Sequence, residues 1–89
     1  MHTPPDATAL AVRQTIADTL RRALDEVAPD ATFDGAGLGL DSLAVIQVQV
    51  ALEERFDVAL PDLLDDDSAR PRAVRDVVAL VAALAAGRS

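Results

Sequence analysis

The sequence predicts an all-α domain with three principal helices and a short helix before the last one. Eighty-nine residues make one domain, and a chain of this length can bury a core although it contains no cysteine. Only Phe33 and Phe56 are aromatic, so the core must be built from aliphatic residues, which favour the packing of helix on helix. The apolar residues also recur at spacings of three and four, the period of an amphipathic helix.

The first predicted helix covers about residues 6–27, after a flexible tail at residues 1–5. Asp6 suits a position at the N-cap or in the first turn. Pro29 marks the end of the helix, because a proline disfavours helical geometry in the residue before it. The predicted apolar face consists of Val12, Ile16, Leu20, Ala23, Leu24 and Val27.

A loop at residues 28–41 follows, and it contains three of the four glycines of the chain. Its two large apolar residues are Phe33 and Leu38, and we expect both to hold the loop against the helices. The second helix is predicted at residues 42–56, with Asp41 or Ser42 as its polar cap.

Two apolar stripes run along opposite sides of the second helix. The first stripe, which we expect to face the core, consists of Val45, Val48, Leu52 and Phe56. The second consists of Leu43, Ile46 and Val50, flanked by Glu53 and Glu54. A helix in a small bundle needs only one buried stripe. The second is therefore either covered by the loop and the third helix or kept for a partner, and the periodicity leaves both alternatives open.

The last third of the chain contains two further predicted helices. Pro61 and Pro71 bracket a connection in which a short helix is expected at about residues 62–67. The last helix is predicted at residues 72–86, with Pro71 close to its first turn. A tail at residues 87–89 follows, beginning with a glycine that suits a helix end.

Several kinds of chemistry are disfavoured by what the chain lacks. A serine nucleophile at Ser42 needs a nearby base, but His2 is the only histidine and there is no lysine. The aspartates at residues 65–67 lack the ligand spacing of a calcium loop, and the glycine loop lacks the Gly-Lys-Ser/Thr end of a P-loop. We therefore predict no catalytic residue, no metal site and no enzymatic activity.

The charge and hydropathy of the chain restrict its partners and its location. The net charge is −7, from 15 acidic residues and 8 arginines, and such an acidic chain is a poor nucleic-acid binder. Acidity suits docking onto basic patches of other proteins, or it serves solubility alone. The longest apolar stretch, residues 77–86, is too short to span a membrane. No basic segment leads into an apolar one at the N-terminus, so we expect a cytoplasmic monomer.

Ser42 lies where a phosphate group would be favoured, because the N-terminus of a helix offers unpaired N–H groups and a positive dipole end. The sequence around it is LGLDSL at residues 38–43, followed by ALEERFD at 51–57 and LPD at 60–62. These segments resemble acyl carrier proteins of fatty acid and polyketide synthesis. The resemblance extends over about residues 10–84.

The resemblance implies a four-helix bundle with a short third helix. It also implies that Ser42 is esterified by 4′-phosphopantetheine from coenzyme A, with Asp41 and Leu43 on either side of the attachment site. The thiol of this group would carry acyl intermediates as thioesters. The protein would then be a carrier without catalytic activity of its own.

By the same resemblance, the second helix is the one that partner enzymes recognise. The expected partners are a phosphopantetheinyl transferase and acyl-loading, condensing or tailoring enzymes. The residues implied to contact them are Leu43, Ile46, Val50, Glu53 and Glu54.

The chain also departs from the fatty-acid carriers. Those proteins usually have acids where this chain has Ala44 and Gln47, and they are commonly apolar at the position of Gln49. The segment at residues 61–76 is longer than usual. These departures favour a dedicated carrier of a polyketide, antibiotic or related secondary-metabolite pathway. A discrete peptidyl or aminoacyl carrier is one alternative, and an unmodified helical interaction module is a second.

Overall fold

The structure, a computed structural model, describes residues 5–61 and 71–86. Within them the fold is all-α, as the sequence predicts, and no strand is present beyond one isolated bridge. The elements in chain order are helix α1 (Pro5–Leu20), a 3-10 turn (Leu24–Glu26), helix α2 (Ser42–Phe56) and helix α3 (Val74–Ala86).

Three predicted segments lie wholly or largely outside the described residues. They are the two tails and the short helix at residues 62–67, together with its aspartates at 65–67. The described residues therefore contain three principal helices, and a four-helix count stays a prediction. Among these residues, no helix has both the length and the apolar character that a membrane span requires.

Helix α1 ends at Leu20, so the prediction that it continues to residue 27 is wrong. The backbone of Arg21 is left-handed, with φ of 57°. The Arg21 N–H donates to the Asp18 carbonyl at 3.3 Å, and the Arg22 N–H donates to the Ala17 carbonyl at 2.9 Å. These two bonds form a Schellman motif, which satisfies carbonyls at the end of a helix while turning the chain away.

The apolar spacing after Leu20 continues because a 3-10 turn brings Leu24 and Val27 back to the core, whereas Ala23, which is also predicted on the apolar face, is exposed. Leu24 is half-buried and Val27 is fully buried. The Arg13 side chain of α1 fixes this turn, since its Nε donates to the Val27 carbonyl at 2.7 Å and its guanidinium also donates to the Leu24 carbonyl at 3.3 Å. Spacings of three residues fit both kinds of helix, which explains the error.

A single aliphatic core joins the three helices. Phe33, on the loop, and Phe56, at the end of α2, are half-buried against it, and Leu38 is buried within it, which confirms the expectation that Phe33 and Leu38 hold the loop against the helices. The buried members of the core are Val12, Ile16, Ala17, Val27, Leu38, Val48, Leu52, Leu60, Val74, Val77 and Val81.

Helix α3 begins at Val74, two residues later than predicted. The preceding residues are occupied by backbone pairing with the loop before α2: Thr32 forms the isolated antiparallel bridge with Ala73, and the Phe33 N–H donates to the Arg72 carbonyl at 3.1 Å. The carboxylate of Asp76, in the first turn of α3, then accepts from the Ala73 N–H at 3.1 Å. This is the side-chain-to-backbone half of a capping box.

Candidate functional site

Helix α2 begins with a side-chain cap that decides between the two predicted positions. Asp41 is the N-cap, with extended backbone at φ −82° and ψ 177°. Its carboxylate accepts from the Ala44 N–H at 2.8 Å, and its carbonyl accepts from the Val45 N–H at 3.1 Å. Ser42 is therefore the first helical residue and not the cap.

The hydroxyl of Ser42 is exposed at this helix start. Within residues 5–61 and 71–86, no residue forms a hydrogen bond with it. The backbone N–H groups of Ser42 and Leu43 also find no acceptor there, as expected for the first turn of a helix. The site thus offers one accessible hydroxyl beside two free amide donors at the positive end of the helix dipole.

The glycine loop determines where this hydroxyl lies. Leu38 is only 4% exposed and anchors the loop in the core. Its carbonyl accepts from the guanidinium of Arg22 at 2.9 Å, and its N–H donates to the Thr32 carbonyl at 2.7 Å. Gly39 then takes a left-handed backbone, with φ of 65°, which glycine adopts without steric cost. Its conformation turns the chain towards Asp41.

Asp34 organises the middle of the same loop. Its Oδ1 accepts from the Thr32 hydroxyl at 2.7 Å and from the Ala36 N–H at 3.0 Å. These bonds favour the ionised carboxyl, so the Thr32 hydroxyl, and after it the Ala36 amide, hold the pKa of Asp34 below its ordinary value of 3.8. Asp34 is exposed, and the sequence offers a hint of its role only in the Asp-Gly pair that it forms with Gly35.

The second apolar stripe of α2 is exposed. Leu43 is 63% exposed, and Ile46 and Val50 are each 45% exposed. On the opposite side of the helix, Val48 and Leu52 are buried. Of the two alternatives left open by the periodicity, coverage by the loop is therefore the wrong one.

The two glutamates beside this stripe differ in their surroundings. Glu53 is half-buried, and its carboxylate accepts from the Leu60 N–H at 2.9 Å. It thereby ties the chain after α2 to the end of that helix. Glu54 is exposed. Of the predicted acidic pair, Glu54 is the one whose carboxylate faces solvent.

The described part of the chain contains neither a candidate metal site nor a buried polar or charged side chain. No group of three His, Cys, Asp or Glu side chains comes together there in a way that could hold a metal ion, and none of its polar or charged side chains is buried. What the site can do chemically therefore depends on the Ser42 hydroxyl and on the surface around it.

Comparisons with known proteins agree with this arrangement. The family model described as a phosphopantetheine attachment site matches residues 11–69. An acyl carrier protein of Akkermansia muciniphila is 39% identical over 70 residues, which cover 79% of this chain and 82% of that protein. The chain belongs to the acyl carrier protein family. An acyl carrier protein of Sulfurovum sp. is 41% identical over 51 residues, covering 57% of this chain and 67% of its own.

The attachment domain of acyl carrier proteins carries a covalently bound 4′-phosphopantetheine, and these proteins work with a phosphopantetheinyl transferase and with biosynthetic enzymes, as carriers and not as catalysts. The described residues fit that group. An exposed, unengaged hydroxyl at Ser42 can form the ester, and the free N–H groups of Ser42 and Leu43 favour a phosphate beside it.

Proposed function

We propose that Ser42 is the residue that receives 4′-phosphopantetheine, and that the protein carries acyl intermediates as thioesters on the thiol of this group. The observation that supports this most directly is the exposed Ser42 hydroxyl, unengaged by the described residues, at the first position of α2. Asp41 contributes by fixing where the helix begins, and Leu43 is the helical residue that directly follows Ser42.

The proposed transfer requires no base from this chain. The Ser42 oxygen attacks the phosphorus of coenzyme A that bears the pantetheine arm, and a new oxygen–phosphorus bond forms. The bond from that phosphorus to adenosine 3′,5′-bisphosphate breaks, and the hydroxyl proton passes to a base of the transferase. Since no described residue forms a hydrogen bond with the hydroxyl, the carrier presents the nucleophile and leaves its activation to the transferase.

The proposed docking face for the transferase and the later enzymes is the exposed stripe of Leu43, Ile46 and Val50. Glu54 adds an accessible carboxylate at its far end, whereas the carboxylate of Glu53 already bonds the backbone of the domain. The burial of apolar area on docking then supplies most of the affinity.

The charge of this face supports a specialised pathway. Ala44 and Gln47 are uncharged where fatty-acid carriers usually have acids, so a basic patch on a partner finds no acid to pair with at these two positions. We therefore propose a dedicated carrier for acyl-loading, condensing or tailoring enzymes of a polyketide or related secondary-metabolite pathway. The proposal includes a protein that is monomeric and acts in the cytoplasm.

The test is the intact mass of unmodified protein before and after incubation with coenzyme A and a broad-specificity phosphopantetheinyl transferase. Wild type and the matched control Ser89→Ala should each gain one phosphopantetheine, and Ser42→Ala should gain none. A gain by Ser42→Ala would show that the ester forms elsewhere. If folded wild type gained nothing, the unmodified interaction module would be favoured.

The modified protein then distinguishes the two carrier classes. Loading enzymes that transfer acyl groups should charge its thiol, and adenylating enzymes that transfer amino acids should not. The reverse result would make it a peptidyl or aminoacyl carrier.

A further inference from the structure

The loop before α2 is folded around one carboxylate. Asp34 Oδ1 accepts from the Thr32 hydroxyl and from the Ala36 N–H, at 2.7 and 3.0 Å. The backbone carbonyl of the same residue accepts from the Gly37 N–H at 3.0 Å and from the Gly39 N–H at 2.7 Å. We call this set of bonds the Asp34 knot. It closes the loop locally, since every partner lies within five residues of Asp34.

The Asp34 knot admits little change of shape. A side-chain carbon placed on Gly37 would collide with the backbone and the hydroxyl of Thr32, so the two sides of the knot are in direct contact. Thr32 itself is fixed to the start of α3 by the bridge with Ala73. The other side of the loop is fixed by the bond from Arg22 to the Leu38 carbonyl.

Little free chain separates the knot from the Ser42 hydroxyl. Gly39 is its last member, the Leu40 N–H donates to the Phe33 carbonyl at 2.8 Å, and Asp41 is already the cap of α2. A change in the conformation of the knot is therefore passed directly to the start of the helix. Loss of the Asp34 carboxylate would leave the Thr32 hydroxyl and the Ala36 amide to water and would loosen residues 34–39.

We propose that Asp34 is a positioning residue for phosphopantetheine transfer, because its carboxylate holds the glycine loop in the one shape that presents the Ser42 oxygen to the transferase. It acts through the loop and touches none of the reacting atoms. The inference rests on the proposed function, in which Ser42 is the acceptor. The lowered pKa of Asp34 agrees with a carboxylate that is ionised while it holds the knot.

The experiment measures kcat and KM of the transferase with coenzyme A for the full chain and four variants. Asp34→Ala removes both side-chain bonds, and we expect kcat to fall roughly 10- to 100-fold, the range that misplacement of a reacting group produces. The KM for the carrier should change little, because the stripe of Leu43, Ile46 and Val50 is untouched. Asp34→Asn keeps an acceptor oxygen and should restore kcat to within a few-fold of wild type.

Asp30→Ala is the matched control, since it removes an exposed carboxylate from the same loop. It should leave kcat unchanged. An equal fall in this variant would attribute the effect to charge and overturn the proposal. Thr32→Val provides a second test should Asp34→Ala fail to fold, because it removes only the hydroxyl donor and should lower kcat in the same direction.

Amide hydrogen exchange distinguishes local loosening of the loop from a loss of global stability. In Asp34→Ala the N–H groups of Leu38 and Leu40 should exchange faster, while those of the core residues Leu52 and Val77 stay protected. Unchanged exchange at Leu38 and Leu40, or an unchanged kcat in folded Asp34→Ala, would refute the positioning role. Failure of the proposed function looks different, since wild type would then remain unmodified or be modified at another residue.

Discussion

The two apolar stripes of α2 are built from the same kinds of residue and meet different surroundings. Leu52 is fully buried and Val48 is 2% exposed, whereas Leu43 is 63% exposed on the opposite side. Aliphatic composition therefore does not distinguish a core position from an exposed position on this helix. The difference lies in what packs against each side, because Val48 and Leu52 of the first stripe lie in the core shared with α1 and α3, whereas the second stripe is left in water.

The largest expected effect is a difference in the free energy of unfolding between two leucine-to-alanine variants, one in each stripe. Leu52→Ala should lower the free energy of unfolding by about 2–5 kcal/mol, because it leaves a cavity in the core. Leu43→Ala makes the same change on the same helix and should alter it by less than about 0.5 kcal/mol. Urea denaturation of both variants gives the comparison. Equal losses would mean that the second stripe is part of the core.

The second expected effect is on partner binding, where a substitution in the exposed second stripe should raise the KM of the transferase. Ile46→Ala should raise the KM of the phosphopantetheinyl transferase roughly 5- to 30-fold, the range of a moderate interface contact of about 1–2 kcal/mol. Its matched control is Leu10→Ala, which truncates another half-exposed aliphatic residue, on α1. The control should leave KM unchanged. If both variants behaved alike, docking would not be localised to α2.

The smallest expected effect lies outside both stripes and depends on pH. The folded state lowers the pKa of Asp34 below 3.8, so its contribution to stability is present above that value and is lost as the pH falls through the lower, folded pKa. The difference in stability between wild type and Asp34→Asn should be constant above about pH 5 and shrink below it. Urea midpoints of both proteins across this range measure it. A constant difference down to pH 2 would contradict the bonds described at Asp34.

Helix α2 could be predicted to the residue because its signals are local. Asp41 supplies the cap, and the helix stops where Asp57 takes a left-handed backbone, with φ of 54°. The end of α1 could not be predicted in this way. The residue that turns the chain there is Arg21, and the position does not hold the glycine that commonly marks a helix end. Leu24 and Val27 also continue the apolar spacing beyond it.

The site was predictable in part for the same reason. Ser42 and the stripe beside it follow from motif and periodicity, since both depend on neighbours along one helix. The Asp34 knot does not, because the fit of Gly37 against Thr32 and the bond from Arg22 to Leu38 exist only once the loop has folded onto the helices. Such contacts leave no repeating pattern in a single sequence.

The bridge between Thr32 and Ala73 has a consequence for protein engineering. It holds the chain before α2 and the chain before α3 side by side, with backbone bonds from Phe33 to Arg72 and from Val74 to Ala31. The backbone bonds therefore hold the two ends of the segment that contains Ser42 and the exposed stripe beside each other, and backbone bonds do not depend on which side chains lie at those positions. A graft of this segment between carriers should keep these bonds, provided that Leu38, Val48 and Leu52, which lie in the shared core, are kept.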